Sequence, residues 1–206
     1  MGTYKLTYFS AKGTAEVSRF IFAQAGVKYE DVRLTAQEWP AEKSKFRTGM
    51  LPELELDGGK RLSGSKVISR FLAERFGLAG SNEVENAEIA GIQDTLSDFM
   101  TNLYKCFMEK DEGKKAAMME KVKTEDVPKY WGVIEGMCRK NDCAEGWIYG
   151  KKMTYVDLDI YCGLEYLLSV LPALEESYPC VAKLRAAVAA LPKIKQWIDT
   201  RPTSEW

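Results

Sequence analysis

The sequence predicts two structural units, an α/β unit formed by about the first 80 residues and an all-helical unit formed by the rest. Patterns typical of strands occur only in the first part, where they alternate with helical patterns. After the Gly- and Ser-containing stretch at residues 77–82, only long helical patterns follow. The 206 residues, of which 46% are hydrophobic and 29% charged, are enough to bury a sizeable core.

The first unit begins with the order β-α-β. Residues 4–9 alternate and are rich in β-formers, which predicts a strand. Residues 15–25 place apolar side chains at helical spacing and are followed by Gly26, a good helix stop. Residues 29–34 predict the second strand, and residues 38–40 begin an irregular, charged stretch.

The order β-β-α completes this unit. A hairpin over residues 54–62 turns at Asp57-Gly58, a dipeptide that favours a tight turn. Ser65 then begins a helix as its N-cap, and Gly77 ends that helix. The combined order, with a proline just before the hairpin, indicates a thioredoxin-like domain, which we assign to residues 1–79.

The all-helical unit is assigned to residues 83–206. Thr154 and Asp157 form a capping-box pattern, in which each side chain satisfies a free amide at a helix start. The predicted helices cover about residues 83–108, 113–139, 155–171, 180–190 and 194–199.

Composition excludes several classes of function. The chain has no histidine, which excludes Ser-His-Asp triads, Cys-His dyads and His-ligated zinc or haem sites. Its 29 basic and 30 acidic residues leave a net charge of −1, which argues against a nucleic-acid or membrane partner. The start lacks the features of a signal peptide, and the five cysteines form no C-x-x-C motif. We therefore expect a cytoplasmic protein whose cysteines are reduced, small, buried side chains.

Three places in the first unit together fit a ligand with an anionic group at each end and a peptide backbone between them. Leu51-Pro52 fits a cis bond that exposes backbone groups to an extended ligand, or an ordinary trans turn. Ser65 at a helix start fits carboxylate binding, or plain capping. Trp39 and Lys43, four residues apart, fit a second carboxylate, or a half-buried aromatic beside a solvated lysine.

The order and spacing of many short motifs resemble those of the glutathione transferases over essentially the whole chain. The detailed match is to the sigma class, which includes haematopoietic prostaglandin D synthase and the lens S-crystallins. The matching motifs are Thr7-Tyr8-Phe9, Gly13-x-Ala15-Glu16, Arg19, Tyr29-Glu30-Asp31, Glu38-Trp39-Pro40, Lys43, Leu51-Pro52, Leu54-Glu55, Asp57-Gly58, Ile68-Ser69-Arg70-Phe71-Leu72, Phe76-Gly77-Leu78-Ala79-Gly80, Thr154, Trp197-Ile198 and Arg201-Pro202. The resemblance implies the cytosolic glutathione transferase architecture, a thioredoxin-like domain followed by an all-α domain.

The resemblance also implies roles for individual residues. Tyr8 matches the catalytic tyrosine, whose hydroxyl stabilises the glutathione thiolate, and Ser10 is a rival activator of the kind that related classes use. Asp98 matches an aspartate that reaches the partner subunit's glutathione amine, which implies a homodimer. The implied glutathione-binding residues are Tyr8, Trp39, Lys43, Met50, Leu51, Pro52, Gly64, Ser65 and Asp98, and the implied electrophile pocket consists of Phe9, Thr14, Tyr104, Lys105 and Trp206.

Several positions depart from the family pattern. Gly64 stands where glutamine is usual, Met50 where glutamine or lysine is frequent, and Thr14 where arginine is frequent. We therefore expect weaker glutathione binding than in a typical member. Lys105 and Ser97 replace a tryptophan and an acidic residue of prostaglandin D synthase, which argues against that activity and against activation by Mg²⁺.

These observations lead to one expected function and two alternatives. We expect a glutathione transferase that conjugates glutathione, its co-substrate, to small hydrophobic electrophiles in detoxification, without a metal. The alternatives are a crystallin-like structural or binding relative of low activity, and a glutathione-dependent isomerase such as prostaglandin D synthase. The retained Tyr8, Trp39 and Lys43 favour an enzyme over the crystallin-like alternative.

Overall fold

The computed structural model describes residues 2–141 and 146–204 of the chain. Contacts divide the chain into two compact units, Met1–Ala79 with Ala189–Trp206, and Gly80–Val188. The sequence assigns residues 83–206 to a single helical unit, whereas the last part of the chain groups with the first unit. This difference arises because the last helix of the chain packs against the first one.

The first unit is built on a mixed β-sheet. Among the described residues this sheet has four strands; the second strand in the chain lies at one edge, followed across the sheet by the first, the third and the fourth. The first and second strands are parallel, and the other neighbouring pairs are antiparallel, which confirms the predicted order of elements. The elements up to the linker are β1 (Tyr4–Phe9), α1 (Glu16–Ala25), β2 (Glu30–Leu34), α2 (Trp39–Glu42), β3 (Glu53–Leu56), β4 (Arg61–Ser63) and α3 (Ser65–Phe76).

Apolar side chains on the strands and helices form the core of this unit. Leu6 of β1 and Leu54 of β3 are fully buried. Phe20 and Ile21 of α1 and Leu72 of α3 are buried as well, and α1 packs against α3. Burial of each such side chain contributes about 1.5 to 3 kcal/mol, so this core holds the ends of the strands in fixed positions.

Part of the segment between β2 and β3 is helical, so the prediction of an irregular stretch from residue 38 is wrong for residues 39–45. Trp39–Glu42 form α2, and Lys43–Lys45 continue as a 3-10 turn. Pro40 lies in the first turn of α2, where its fixed φ suits a helix and its missing N–H leaves no bond unmade. The Glu38 carboxylate accepts hydrogen bonds from the amide and hydroxyl of Thr35, at 2.8 and 2.7 Å, which turns the chain out of β2.

The second unit consists of helices joined by turns. Phe99, Trp131 and Leu164 are fully buried in its core. Its helices are α4 (Glu83–Met108), α5 (Glu112–Lys121), α6 (Val127–Lys140), α7 (Tyr155–Leu168), α8 (Leu174–Ser177) and α9 (Pro179–Ala190), and α10 (Pro192–Thr200) follows in the first unit.

The helix predicted over residues 113–139 is divided. Val122–Asp126 form a π-helical turn between α5 and α6. Pro128 lies in the first turn of α6 and has no N–H, so a regular hydrogen-bond ladder cannot pass through it. The short helix α8 is absent from the sequence prediction, because four residues carry too little periodicity to reveal it.

The capping box at the start of α7 is confirmed. Asp157 is fully buried and accepts hydrogen bonds from the Thr154 amide at 2.7 Å and the Thr154 hydroxyl at 3.1 Å. It also accepts a bond of 2.9 Å from the Ile148 amide, which ties the preceding loop to the helix. Burial nevertheless raises the pKa of Asp157 to about 6, against the effect of these bonds.

The cysteines test the expectation of reduced, buried thiols, and the helices can be searched for a membrane-spanning segment. Cys106 and Cys138 are buried thiols, as expected, and burial raises the pKa of Cys138 to about 12. The expectation of a reduced thiol is wrong for Cys180, which is disulfide-bonded. Across residues 2–141 and 146–204, no helix is both long and apolar enough to cross a membrane.

Candidate functional site

Three predicted parts of the site lie at the same end of the strands of the sheet. Thr7 near the end of β1 lies opposite Glu53 at the start of β3, and Glu53 lies opposite Ser63 at the end of β4. The residues just beyond these positions therefore lie at the same end of the sheet; they are Tyr8, Leu51-Pro52 and Gly64-Ser65. The Leu51-Pro52 bond is cis, and the Gly64 amide donates a hydrogen bond of 3.1 Å to the Pro52 carbonyl.

The hydroxyl of Tyr8 is held by the turn that follows β1. The amide and the hydroxyl of Thr14 each lie 3.3 Å from the Tyr8 oxygen, within hydrogen-bond distance. Gly13 has a φ of 44° and packs so closely that a Cβ there would lie 2.5 Å from the same oxygen. Tyr8 itself is half-buried, so its hydroxyl sits at the boundary between the core and an open surface.

Arg19 is a residue of this site whose role sequence analysis missed. Its side chain is fully buried, and its guanidinium lies 5.9 Å from the centre of the Tyr8 ring. It donates hydrogen bonds of 2.7 and 3.3 Å to the carbonyls of Ala11 and Lys12, which begin the turn around Tyr8. A signal was present, because Glu16 and Arg19 place opposite charges three residues apart on the apolar face of α1.

Glu16 connects this arginine to the end of the chain. This residue is 1% exposed, and its carboxylate forms an ion pair of 3.0 Å with Arg19. It also accepts bonds from the Trp197 indole at 2.9 Å and from Arg201 at 3.1 Å. Burying a carboxylate is costly unless several donors surround it, and these three satisfy that requirement. The helix α10 is thereby fastened to α1.

Aromatic contacts connect Tyr8 to the predicted carboxylate site on α2. The Tyr8 and Phe9 rings are 5.5 Å apart, and Phe9 meets Trp39 edge-on at the same centroid distance of 5.5 Å. The ring of Phe46 also lies 5.5 Å from that of Trp39. Trp39 is half-buried by these contacts, whereas Lys43 is exposed, so its ammonium is available to an anion.

Glu53 organises the loop that carries Met50, Leu51 and Pro52, and sequence analysis did not select it. Glu53 is 3% exposed, and its carboxylate accepts bonds from the Arg47 amide at 3.1 Å and the Ser63 hydroxyl at 3.3 Å. A lone acidic residue at a strand start carries no sequence signal of such a role. Met50 is 65% exposed, so its side chain projects from the loop into open space.

The start of α3 corrects one sequence prediction. The N-cap of this helix is Gly64, with φ 97°, and Ser65 is its first helical residue. A glycine reaches that backbone conformation without the strain that a side chain causes, which explains why the cap falls there. The first amides of the helix and the positive end of its dipole favour an anion at this point.

The remaining predicted residues belong to other parts of the chain. Asp98, Tyr104 and Lys105 lie on α4 of the second unit and are exposed. Trp206 lies outside the described residues. The grouping of Phe9 and Thr14 with Tyr104, Lys105 and Trp206 in one pocket therefore stays a prediction, as does the contact of Asp98 with a partner subunit. The described ranges contain no cluster of three or more acidic or cysteine side chains suited to a metal ion, and a metal-free reaction also stays a prediction.

Comparisons with known proteins bear on the whole chain. The family model described as the C-terminal domain of glutathione S-transferase matches residues 97–201. Glutathione S-transferase 1 of Ascaris suum is 38% identical over 100% of both chains. Haematopoietic prostaglandin D synthase of Gallus gallus is 37% identical over 98% of both chains. The crystal structure of a monomeric glutathione S-transferase of the hookworm Necator americanus matches with a TM-score of 0.91 and 32% identity, covering 99% of this chain and 100% of that one.

These similarities agree with the architecture of the two units. Within the described residues, the first unit has a four-stranded sheet with a cis-proline loop at one end of its strands. A relative such as the Ascaris suum protein matches this chain over its whole length. The family model alone covers half of the sequence, in the helical part. The chain therefore belongs to the glutathione S-transferase family.

Proposed function

We propose that this family member joins the thiol of glutathione to small hydrophobic electrophiles, and that Tyr8 stabilises the thiolate. The observation that carries the proposal is that Tyr8, whose hydroxyl lies within hydrogen-bond distance of Thr14, follows β1 at the same end of the sheet as the Leu51-Pro52 loop and the start of α3. We further propose assignment to the sigma class, a role in detoxification, a cytoplasmic location and a homodimeric state.

The role of Tyr8 follows from the acidity of thiols. A free thiol has a pKa of roughly 8.5, so only about 3% of it is ionised at neutral pH. A phenolic hydroxyl that donates a hydrogen bond to the sulfur stabilises the anion, and each unit of lowered thiol pKa corresponds to about 1.4 kcal/mol. A lowering by roughly two units would make most of the bound thiol reactive. Glutathione itself supplies the nucleophile.

Complementary charges support the proposed orientation of glutathione. The exposed ammonium of Lys43, beside the indole of Trp39, suits the glycyl carboxylate. The backbone of Leu51 suits the cysteinyl unit, between Met50 and Pro52. Ser65 and the first amides of α3 suit the γ-glutamyl carboxylate, with Gly64 beside it.

Two further groups complete the proposal. Asp98 of a partner subunit would accept a hydrogen bond from the glutathione amine, for which its exposure on α4 is suitable. The electrophile would lie against Phe9, Thr14, Tyr104, Lys105 and Trp206. The exposed Lys105, where prostaglandin D synthase has a tryptophan, favours conjugation over the prostaglandin isomerase alternative.

The substitution Tyr8→Phe tests the assignment of the thiolate stabiliser. Removal of the hydroxyl would return the bound thiol to its ordinary pKa, so we expect conjugation of an aryl halide at saturating glutathione and pH 7 to slow about 20- to 30-fold. Calorimetry at pH 7 should give a glutathione Kd raised only about fourfold, which is the part linked to the lost thiolate, because the carboxylate contacts are unchanged. Tyr4→Phe, on the same strand but within the core, is the matched control and should keep the wild-type rate.

Two outcomes would contradict the proposal. A fully active Tyr8→Phe variant, with loss of activity in Ser10→Ala, would transfer the role to the rival hydroxyl. Failure of the wild-type protein to conjugate thiols, with intact glutathione binding, would favour the crystallin-like alternative.

A further inference from the structure

We propose that Thr14 is a positioning residue that directs the Tyr8 proton toward the glutathione sulfur and strengthens the bond it makes there. This inference rests on the proposed function, since it assigns a means of control to the same tyrosine. Thr14 stands where the family frequently has arginine, so the hydroxyl contact belongs to this chain's own sequence, whereas the amide contact does not depend on the side chain.

The direction of the hydrogen bonds follows from the chemistry of the donors. A backbone N–H only donates, so the Thr14 amide, 3.3 Å from the Tyr8 oxygen, occupies a lone pair of the phenol and leaves the phenolic proton free. The Thr14 hydroxyl lies 3.3 Å from the same oxygen. When the phenolic proton points to a sulfur anion, this hydroxyl donates to the phenol as well. Each donor polarises the phenol further and makes its O–H a better donor.

The backbone around Thr14 is built to hold this position. Gly13 has φ 44°, and a Cβ on it would lie 2.5 Å from the Tyr8 oxygen and 2.7 Å from the ring edge, so only glycine allows the turn to approach this closely. Arg19, fully buried, anchors the preceding carbonyls of Ala11 and Lys12. The turn thus has little freedom to move away from the phenol.

The length and exposure of the bonds limit the size of the effect. Both bonds are 3.3 Å long, at the weak end of the range, and Thr14 is exposed to competing water. We therefore expect a change of severalfold in the fraction of ionised thiol. Because Thr14 is also proposed to line the electrophile pocket, the measurement must be made on bound glutathione without an electrophile.

The test compares Thr14→Val with Thr14→Ser by ultraviolet titration of the thiolate in the glutathione complex. Valine has nearly the same shape but no hydroxyl, whereas serine keeps the hydroxyl. We expect Thr14→Val to lower the thiolate fraction at pH 7 by about threefold and to raise the glutathione Kd by no more than about the same factor, and Thr14→Ser to stay close to wild type. Thermal unfolding curves would verify that all variants fold.

A double-mutant cycle with Tyr8→Phe separates this inference from the proposed function. We expect Thr14→Val to have no further effect once the Tyr8 hydroxyl is absent. Two results would overturn the inference and leave the role of Tyr8 intact. In one, Thr14→Val lowers the thiolate fraction as much in the Tyr8→Phe background as in the wild type. In the other, the glutathione thiol titrates as in wild type in Thr14→Val but at a higher pH in Tyr8→Phe. Wild-type titration of Tyr8→Phe itself would overturn both.

Discussion

At the scale of a single residue, Gly64 affects folding through its backbone angle and, in the proposed function, lies beside bound glutathione. Its φ of 97° is a conformation that side chains rarely adopt, and a Cβ there would meet only Val67, at 3.9 Å. Strain from a side chain would be present with or without ligand, so it would act on folding and not on binding. A restored amide side chain, by contrast, would contact the ligand and act on binding alone.

Gly64→Gln should therefore separate the two properties. We expect glutathione to bind about fivefold tighter, because one hydrogen bond contributes about 1 kcal/mol. We expect the free energy of unfolding to fall by about 1 to 3 kcal/mol from backbone strain. Calorimetry and urea unfolding measure the two changes.

A matched control is available in the hairpin turn. Gly58 has φ 74° and open space around it, so Gly58→Gln should lower stability with no effect on binding. An unchanged glutathione Kd in Gly64→Gln would show that the family's glutamine contact cannot form in this chain.

The start of α7 shows how burial and hydrogen bonding compete in one element. Asp157 has an ordinary pKa of 3.8, and burial raises it to about 6 in the folded protein even though amides donate to it. Between these two values the folded state holds a proton that the unfolded state has released. The contribution of Asp157 to stability therefore falls as the pH rises from about 4 to about 6.

Asp157→Asn should remove this dependence. In the wild type, the contribution of Asp157 to the free energy of unfolding falls by on the order of 3 kcal/mol between pH 4 and 6, because its pKa is raised by about two units. The amide does not titrate, so the stability difference between wild type and variant should narrow as the pH rises from 4 to 6. Urea unfolding at several pH values measures it.

Asp57→Asn is the control for this element-scale prediction. Hydrogen bonds from Thr3 lower the pKa of Asp57, so its contribution is lost only as the pH falls below about 4, outside the window. The raised pKa would be contradicted if the difference in free energy of unfolding between wild type and Asp157→Asn stayed constant from pH 4 to 6.

At the scale of the whole molecule, the net charge of −1 averages over groups of opposite sign. Lys43 and the start of α3 suit the two carboxylates of glutathione, whereas Asp98 suits its amine. The proposed use of Asp98 requires a second subunit, although one similar structure from Necator americanus is described as monomeric. Under this proposal, the oligomeric state decides whether each glutathione site is complete.

Mixed dimers test this proposal directly. A dimer of one Tyr8→Phe subunit and one Asp98→Asn subunit should contain one intact site, because the Tyr8 subunit receives Asp98 from its partner. We expect about half the wild-type kcat with a wild-type KM. The Asp98→Asn homodimer should show a KM for glutathione raised about tenfold, from loss of a charge-assisted bond.

Sedimentation measures the oligomeric state of the wild-type protein, on which this test depends. In the mixed dimer, a raised KM for glutathione would mean that Asp98 acts on the site of its own subunit. A monomer in solution would contradict the shared site altogether.

Local signals account for what could be predicted from the sequence. Strand alternation over residues 4–9, the glycine stops at Gly26 and Gly77 and the capping box at Thr154 each depend on residues a few positions apart. Motif order then indicated the candidate site, including Tyr8. The N-cap at Gly64 escaped prediction because the backbone angle, and not the residue's usual capping preference, decided it.

By itself, the sequence determined the strands and most of the helices, their order, the exclusion of histidine chemistry and the family. Only the tertiary structure decided which groups surround Tyr8 and how the chain's end is fastened. The bond from Trp197 to Glu16 joins residues 181 positions apart, and no periodicity or motif encodes such a contact. Neighbouring residues reveal local structure because their geometry follows from the backbone, whereas distant partners meet only when the whole core has packed.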